Sequence, residues 1–140
     1  MGFFDKLKKS VLKVDDQQLL TEAMLCVAFA DGDDQWEETN LVRAFMETLP
    51  ELKGSDQYEV YEAAEKNVKL HGALGRSKEL ANLSSEKLKH KAFYLAMDIA
   101  LSSGDIDDGE EAVLASMAET LAISDAFAEN IANTLMIKYA

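Results

Sequence analysis

The clearest structural signal in the chain lies at residues 19–34, which read Leu19-Leu-Thr-Glu-Ala-Met-Leu-Cys-Val-Ala-Phe-Ala-Asp-Gly-Asp-Asp34. Apolar residues recur there at steps of three and four, a spacing that is typical of an α-helix with a buried face. No glycine or proline interrupts the run before Gly32, where acidic residues form a turn signal. The sequence therefore predicts a helix over residues 16–31 that ends in an acidic turn.

The same periodicity continues along most of the chain. It predicts further helices over residues 36–48, 55–74, 85–102 and 108–121, and a last helix from about residue 124. Pro50 marks the end of the second of these helices, and residues 72–75 predict a chain reversal. The apolar stripes assigned to the core include Tyr58, Leu70 and Met136. Because no stretch alternates like a β-strand, we expect an all-α fold, a compact bundle of about seven helices.

Length and composition favour one acidic domain over residues 1–140. The chain has 26 Asp and Glu against 14 Lys and Arg, a formal net charge of −12 at pH 7. This charge disfavours nucleic acid as a partner, because its phosphates would be repelled. The chain shows no bilayer-spanning apolar run and no secretory signal, and the single Cys26 cannot form an internal disulfide. We therefore expect a cytoplasmic protein.

A diverged internal repeat relates the two ends of the chain. A shift of 72 positions aligns Ala28-Phe-Ala-Asp-Gly-Asp33 with Ala100-Leu-Ser-Ser-Gly-Asp105, and Glu38 with Glu110. Each copy reads as a helix, an acidic turn with a glycine and a second helix. This pattern predicts two pseudo-symmetric helix-turn-helix halves, at about residues 16–50 and 85–122.

The two turns concentrate the negative charge of the chain. Residues 31–38 and 105–111 each hold five acids and no Lys or Arg. Acids at a helix start satisfy free N–H groups, and the pairs Asp34 with Glu37 and Asp108 with Glu111 have the spacing of a capping box. Capping accounts for two or three acids in each turn, but five crowded carboxylates repel one another. A bound cation is the alternative explanation.

Helical phase adds to the case for a cation. The buried stripe of the first helix continues to Asp31, and the stripe of the second continues backwards to Glu38, so both carboxylates face inward. In the second copy Glu110 repeats this position, while Ser103 replaces the counterpart of Asp31. All candidate ligands are oxygens, which favours Ca²⁺ or Mg²⁺ as the divalent metal ion. The candidate ligands are Asp31, Asp33, Glu38, Asp105, Asp107 and Glu110.

Two regions of the chain carry positive charge. Residues 1–14 place Phe3 or Phe4, Leu7 and Val11 at helical spacing among four lysines, which predicts a basic amphipathic N-terminal helix. We favour its docking on the acidic body, with peripheral membrane contact as the alternative. Residues 66–91 hold seven Lys or Arg against two Glu. Patches of opposite sign on one molecule favour a protein partner or self-association into a homodimer.

The chain has no motif of a known catalytic type. Signatures of serine hydrolases, zinc proteases and nucleotide-binding enzymes are absent from its sequence. His71 and His90 lie in Lys-rich regions and are more typical of surface residues than of acid–base groups. Cys26 lies in mid-helix and is expected to pack in the core. Trp36 lies beside the acidic turn, where it either closes the hairpin or offers an exposed anchor to a partner.

Three motifs follow one another along the chain: Phe3-Phe-Asp-Lys-Leu-Lys8, Ala30-Asp-Gly32 followed by Glu37-Glu38, and Ser103-Gly-Asp-Ile-Asp-Asp-Gly-Glu-Glu111. Together they make the whole chain resemble the tellurite-resistance protein TerB family. The resemblance implies an all-helical domain of two related halves with a metal-binding acidic site, and it carries over the same six carboxylates. The family usually has Asp where this chain has Ser103, which favours the first turn over the second.

The resemblance also implies a location and partners. TerB proteins are cytoplasmic or associated with the inner membrane, and they act with other tellurite-resistance and stress-response proteins. Related domains serve as interaction modules beside J-domains in membrane-anchored co-chaperones. We therefore expect a non-enzymatic stress-response module that binds a divalent metal. The alternative is a metal-free protein-interaction adaptor that uses its acidic surface.

Overall fold

The computed structural model describes residues 13–31 and 36–140 of the protein. Seven α-helices lie in these residues: α1 (Lys13–Ala28), α2 (Trp36–Thr48), α3 (Gln57–His71), α4 (Ala73–Glu79), α5 (Glu86–Leu101), α6 (Asp108–Thr120) and α7 (Asp125–Lys138). Two short 3-10 turns, Pro50–Leu52 and Leu80–Asn82, connect neighbouring helices. The same residues contain no β-strand. The predicted all-α bundle is therefore confirmed.

Helix α1 is the centre of the bundle. It packs against α2, α3, α4, α5 and α6, while α7 packs on the outer side of α5. Residues 19–29 are all buried, so the second half of α1 has no solvent-facing side. The sequence predicts this helix but assigns it only one buried stripe; its remaining faces are nearly as apolar, and a helix that is apolar all round is buried all round.

The buried face of α1 includes one carboxylate that other helices neutralise. Glu22 is fully buried, and its Oε1 atom accepts a hydrogen bond from the Nε atom of Arg76 on α4 at 2.5 Å. Its Oε2 atom accepts from the side-chain amides of Gln18 on α1 at 2.8 Å and Asn67 on α3 at 3.3 Å. A buried charge needs such partners, so this cluster joins α1, α3 and α4.

The predicted helix over residues 55–74 is two helices in the structure. Helix α3 ends at His71, and α4 begins at Ala73, because Gly72 adopts a φ of 81° between them. This conformation strains any residue with a side chain and breaks the helix. The glycine signal at residues 72–75 thus marks the end of α3, but a short helix that the sequence does not predict starts directly after Gly72, and the chain reversal stays a prediction.

Three apolar residues assigned to the core are exposed instead. Tyr58 is 65% exposed, Leu70 69% and Met136 55%. Leu70 lies two residues after the buried Val68, about 200° around the helix, and Met136 lies about 100° from the buried Leu135. Tyr58 is the second residue of α3 and lies in its first turn, three residues before the buried Tyr61. An apolar side chain is therefore buried only when it lies on the same face of the helix as the buried stripe and when another element packs against that face.

Some sequence predictions lie outside the described residues or remain untested. Residues 1–12, most of the predicted basic N-terminal helix, are outside them, whereas Lys13 and Val14 belong to α1. The pseudo-symmetric relation between the two halves stays a prediction. Among the described helices, none has the length and apolar character needed to cross a bilayer.

Candidate carboxylate site at the two acidic turns

The described parts of the two acidic turns lie against each other in the fold. The first follows α1 and precedes α2, and the second joins α5 to α6. They meet where Gly109, in the first turn of α6, faces the backbone of Ala30: a Cβ atom built on Gly109 would lie 3.2 Å from the Ala30 carbonyl oxygen. The absence of a side chain at Gly109 therefore permits a close approach that larger residues would obstruct.

The start of α6 is closed by a reciprocal cap. The side chain of Asp107 accepts a hydrogen bond from the backbone N–H of Glu110 at 2.7 Å, and Oε1 of Glu110 accepts from the backbone N–H of Asp107 at 3.1 Å. The capping box predicted for Asp108 and Glu111 is therefore wrong by one residue. Asp108 is already the first helical residue, so the cap must come from the residue before it.

Each turn buries one carboxylate oxygen that no hydrogen bond satisfies. In the described part of the chain, the buried side-chain atoms without a hydrogen-bond partner are Oε2 of Glu38 and Oε2 of Glu110. Glu110 is only 4% exposed, and its other oxygen is used in the cap. Capping therefore explains one oxygen of Glu110 and leaves the second unexplained, since buried polar atoms normally have partners.

Electrostatic coupling shows that the carboxylates of both turns are close together. Burial, and to a lesser degree neighbouring charges, raise the pKa of Glu38 from its ordinary 4.5 to about 7. These charges are those of Glu110, Asp107 and Asp31. Burial also raises the pKa of Glu110 to about 7, although the backbone N–H of Asp107 opposes the rise. Glu38 thus lies within electrostatic range of Asp31, Asp107 and Glu110, and we call these four the carboxylate group, whereas the sequence predicted a separate group in each turn. Asp31 and Asp107 are exposed, so the inward orientation predicted for Asp31 is wrong.

The remaining candidate ligands lie apart from this group or outside the described residues. Asp105 is exposed on the second turn and is not among the charges that raise the pKa of Glu38. The hydroxyl of Ser103 donates to the backbone oxygens of Ala100 at 3.2 Å and Asp105 at 3.1 Å, so it holds the turn in shape. Asp33 lies in the segment 32–35, outside the described residues.

The donor set fits a hard cation in its chemistry. All four gathered side chains are carboxylates, the ligands that Ca²⁺ and Mg²⁺ prefer, and two of their oxygens are buried without partners. Within residues 13–31 and 36–140, however, no three His, Cys, Asp or Glu side chains already form a group that could hold a metal ion.

A cavity of about 580 Å³ adjoins the group on the side of α2. Glu37, Glu38 and Leu41 of α2 and Ser102 and Ser103 at the end of α5 line it, together with Trp36. Trp36 is 73% exposed, so it does not close the hairpin, which was one of the two alternatives left open by the sequence. The exposed-anchor alternative is the one that agrees with its position.

The other candidates for chemistry are the single cysteine, the two histidines and the basic stretch. Cys26 is fully buried, and burial raises the pKa of its thiol well above the usual range, so it packs in the core as predicted. His71 is exposed, and the ring of His90 lies 4.5 Å from the ring of Phe127. In the basic stretch, Lys91 pairs with Glu51 at 2.7 Å.

Sequence reasoning missed the meeting of the two turns. One signal was available, because Gly109 lies inside the first turn of a predicted helix, where glycine weakens the helix and often marks a close backbone approach. The partner of that approach, the Ala30 carbonyl, is 79 positions away and belongs to the other acidic turn. No periodicity within either turn specifies such a contact.

Comparison with known proteins agrees with this architecture. The chain matches the family model for tellurite resistance protein TerB over residues 24–133, a range that includes the described carboxylates and all of α2 to α6. Searches of curated proteins and of solved structures give no significant match. Because the family match covers well over half of its length, the chain belongs to the TerB family of tellurite resistance proteins.

Proposed function

We propose that the protein is a non-enzymatic stress-response module that binds one divalent cation, Ca²⁺ or Mg²⁺, between its two acidic turns. The ligands we assign are Asp31, Glu38, Asp107 and Glu110. Asp33 and Asp105 are further candidates on the same turns. The observation that carries the proposal is the pair of buried, unpartnered oxygens on Glu38 and Glu110.

The physical argument concerns the energy of these carboxylates. Two carboxylates that each bury an oxygen and lie close to each other repel, and each must either take up a proton or face a positive charge. Near pH 7 neither is fully protonated, because both pKa values lie at about 7. A divalent cation supplies the positive charge and the oxygen-only ligand set suits it. Its chemistry here is binding alone, which neutralises the turns and links them.

Calorimetric titration with CaCl₂ and MgCl₂, compared with ZnCl₂, tests the proposal. We expect saturable binding of one Ca²⁺ or Mg²⁺ at pH 8 and weaker binding at pH 6, because the cation must displace protons. Glu38→Gln and Glu110→Gln should each lower the affinity by about tenfold or more. Glu111→Gln is the matched control, since this exposed neighbour lies outside the group. Absence of binding, or unchanged affinity in both glutamine variants, rejects the cation site.

A second candidate function is a protein-interaction adaptor, and the exposure of Trp36 favours it. Large aromatic side chains are common at the centres of protein interfaces, and an isolated tryptophan that is 73% exposed beside a cavity is a suitable anchor. Other tellurite-resistance or stress-response proteins are the partners that we propose for such an adaptor. The two functions are compatible, because the cation group and the exposed face of Trp36 involve different atoms.

A further inference from the structure

We infer that the cavity beside Trp36 receives an arginine side chain from an extended segment of a partner protein, and that this segment continues along the exposed face of α2. The inference rests on the proposed adaptor function and specifies its partner. It does not require a bound cation.

The first argument is the charge of the cavity wall. Glu37 and Glu38 both line it, and among the described lining residues none is positively charged. Its volume of about 580 Å³ lies within the roughly 300 to 1,000 Å³ of ordinary ligand pockets. The negative charge of the cavity wall therefore complements a positively charged side chain, and the cavity has room for a large one.

The second argument is the hydrogen-bonding character of the wall. The hydroxyl of Ser102 donates to the backbone oxygen of Ile99 at 2.6 Å, and that of Ser103 donates to backbone oxygens of its own turn. Both hydroxyl protons are thus engaged, and the oxygens can only accept from an incoming group. Glu37 adds acceptor oxygens, and so does Glu38 in its ionised form, so that apart from the indole N–H of Trp36 the polar groups of the wall are mainly acceptors. A guanidinium offers five N–H donors and no acceptor, which suits this wall better than an ammonium group with three donors.

The third argument is the aromatic ring at the rim. Trp36 lines the cavity and is largely exposed, so a flat guanidinium entering the cavity passes its ring. Arginine stacks on aromatic faces more readily than lysine does. The described chain already contains one such pair, since the guanidinium of Arg43 lies 4.2 Å from the centre of the Tyr61 ring.

The path of the segment follows from two further cavities. Trp36 also lines a cavity of about 280 Å³ that Arg43 and Tyr61 border, and these two residues in turn border a third cavity of about 160 Å³. Met46 and the exposed Tyr58 line this third cavity, which suits an apolar side chain. From Trp36 to Met46 the helix rises roughly 15 Å, which four to five residues of extended chain span. The partner segment is therefore an arginine followed about four residues later by an apolar residue.

Nuclear magnetic resonance titration of the full chain tests this assignment. The probe is the capped peptide acetyl-Arg-Gly-Ser-Gly-Leu-amide, and its control has glutamine in place of arginine. Trp36 is the only tryptophan, so its indole N–H gives a single signal. We expect saturable shifts of this signal and of the Ser102 and Ser103 amides, with about tenfold weaker binding of the glutamine peptide. Shifts that do not saturate, or equal binding of both peptides, overturn the inference.

Variants separate this site from the proposed cation site. Glu37→Gln should weaken peptide binding about tenfold and leave Ca²⁺ binding unchanged, because Glu37 is exposed and outside the carboxylate group. Glu110→Gln should have the opposite pattern, and Glu111→Gln should affect neither. Unchanged peptide affinity in Glu37→Gln rejects the arginine site. If the unsubstituted protein binds the peptide but not Ca²⁺, only the cation proposal is rejected.

Discussion

Glu110 uses its two oxygens in different ways. Oε1 completes the cap of α6, and Oε2 lies buried without a partner near Glu38 of the other turn. A carboxylate that serves only as a cap does not need its second oxygen to be buried, since exposed capping residues stabilise helix starts equally well. At the scale of single residues, the position of Oε2 is what separates a cation-binding carboxylate from a capping one.

The raised pKa values of Glu38 and Glu110 predict how stability depends on pH. Both groups have pKa values of about 7 in the folded protein against an ordinary 4.5, so the folded state binds more protons than the unfolded state between these limits. Without divalent cations, the contribution of these two groups to stability therefore falls as the pH rises from about 4.5 to about 7, and it levels off above. Thermal unfolding in EDTA at pH 5, 6, 7 and 8 measures this effect.

The variant Glu38→Gln/Glu110→Gln isolates that contribution from those of the other acids. Its melting temperature should fall less between pH 5 and pH 8 than that of the unsubstituted protein, and it should be the more stable of the two at pH 8. Glu111→Gln should keep the original pH dependence. Parallel pH profiles for all three proteins would contradict the assignment.

At the scale of elements, the contact between the end of α1 and the start of α6 joins the two turns. A side chain at Gly109 would press on the Ala30 carbonyl, so Gly109→Val should destabilise the protein by about 1 to 3 kcal/mol. Helix propensity alone predicts the opposite sign, because valine is a better helix former than glycine. Urea unfolding measures the difference.

Gly75 provides the matched control for this substitution. It also lies inside a helix, α4, and a Cβ atom added there would meet nothing within 4 Å. Gly75→Val should therefore leave stability unchanged or raise it slightly. If both valine variants behave alike, the close approach of the turns does not limit residue 109.

The short helix α4 supplies the cation of a buried ion pair, Arg76 with Glu22. Arg76→Met should destabilise the protein by about 3 kcal/mol or more, because it leaves the carboxylate of Glu22 buried without its cation. Lys78→Met on the same helix is the control, and this exposed position should change stability by less than about 0.5 kcal/mol. Chemical denaturation of both variants compares them. Similar stabilities would mean that Gln18 and Asn67 suffice to hold Glu22.

At the scale of the whole molecule, cation binding should appear as stabilisation against heat. A ligand that binds only the folded state adds about 2.7 kcal/mol when its concentration is 100 times its dissociation constant. We expect CaCl₂ to raise the melting temperature at pH 8, and EDTA to reverse the effect. NaCl at equal ionic strength controls for screening of the net charge of −12. An equal rise in NaCl would show that screening alone is responsible.

How much of the structure the sequence predicts depends on how far apart the interacting residues are along the chain. Helix starts and ends follow from local signals, and α2 spans the predicted residues 36–48. The central place of α1 and the start of α4 after Gly72 depend on packing, which periodicity does not report. Helical phase predicted the inward positions of Glu38 and Glu110, whereas Asp31, predicted to face inward, is exposed. Their assembly into one group depends on the contact between Gly109 and Ala30, which no local pattern encodes.

The complete burial of α1 has a consequence for the order in which the chain folds and opens. Because helices from both ends of the sequence surround it, the backbone amides of residues 20–28 become accessible to solvent exchange only when those helices separate. Hydrogen exchange at these amides should then report global unfolding. The N-terminal and C-terminal parts of the chain would then fold as one cooperative unit. Either part expressed alone would lack some of the helices that pack around α1.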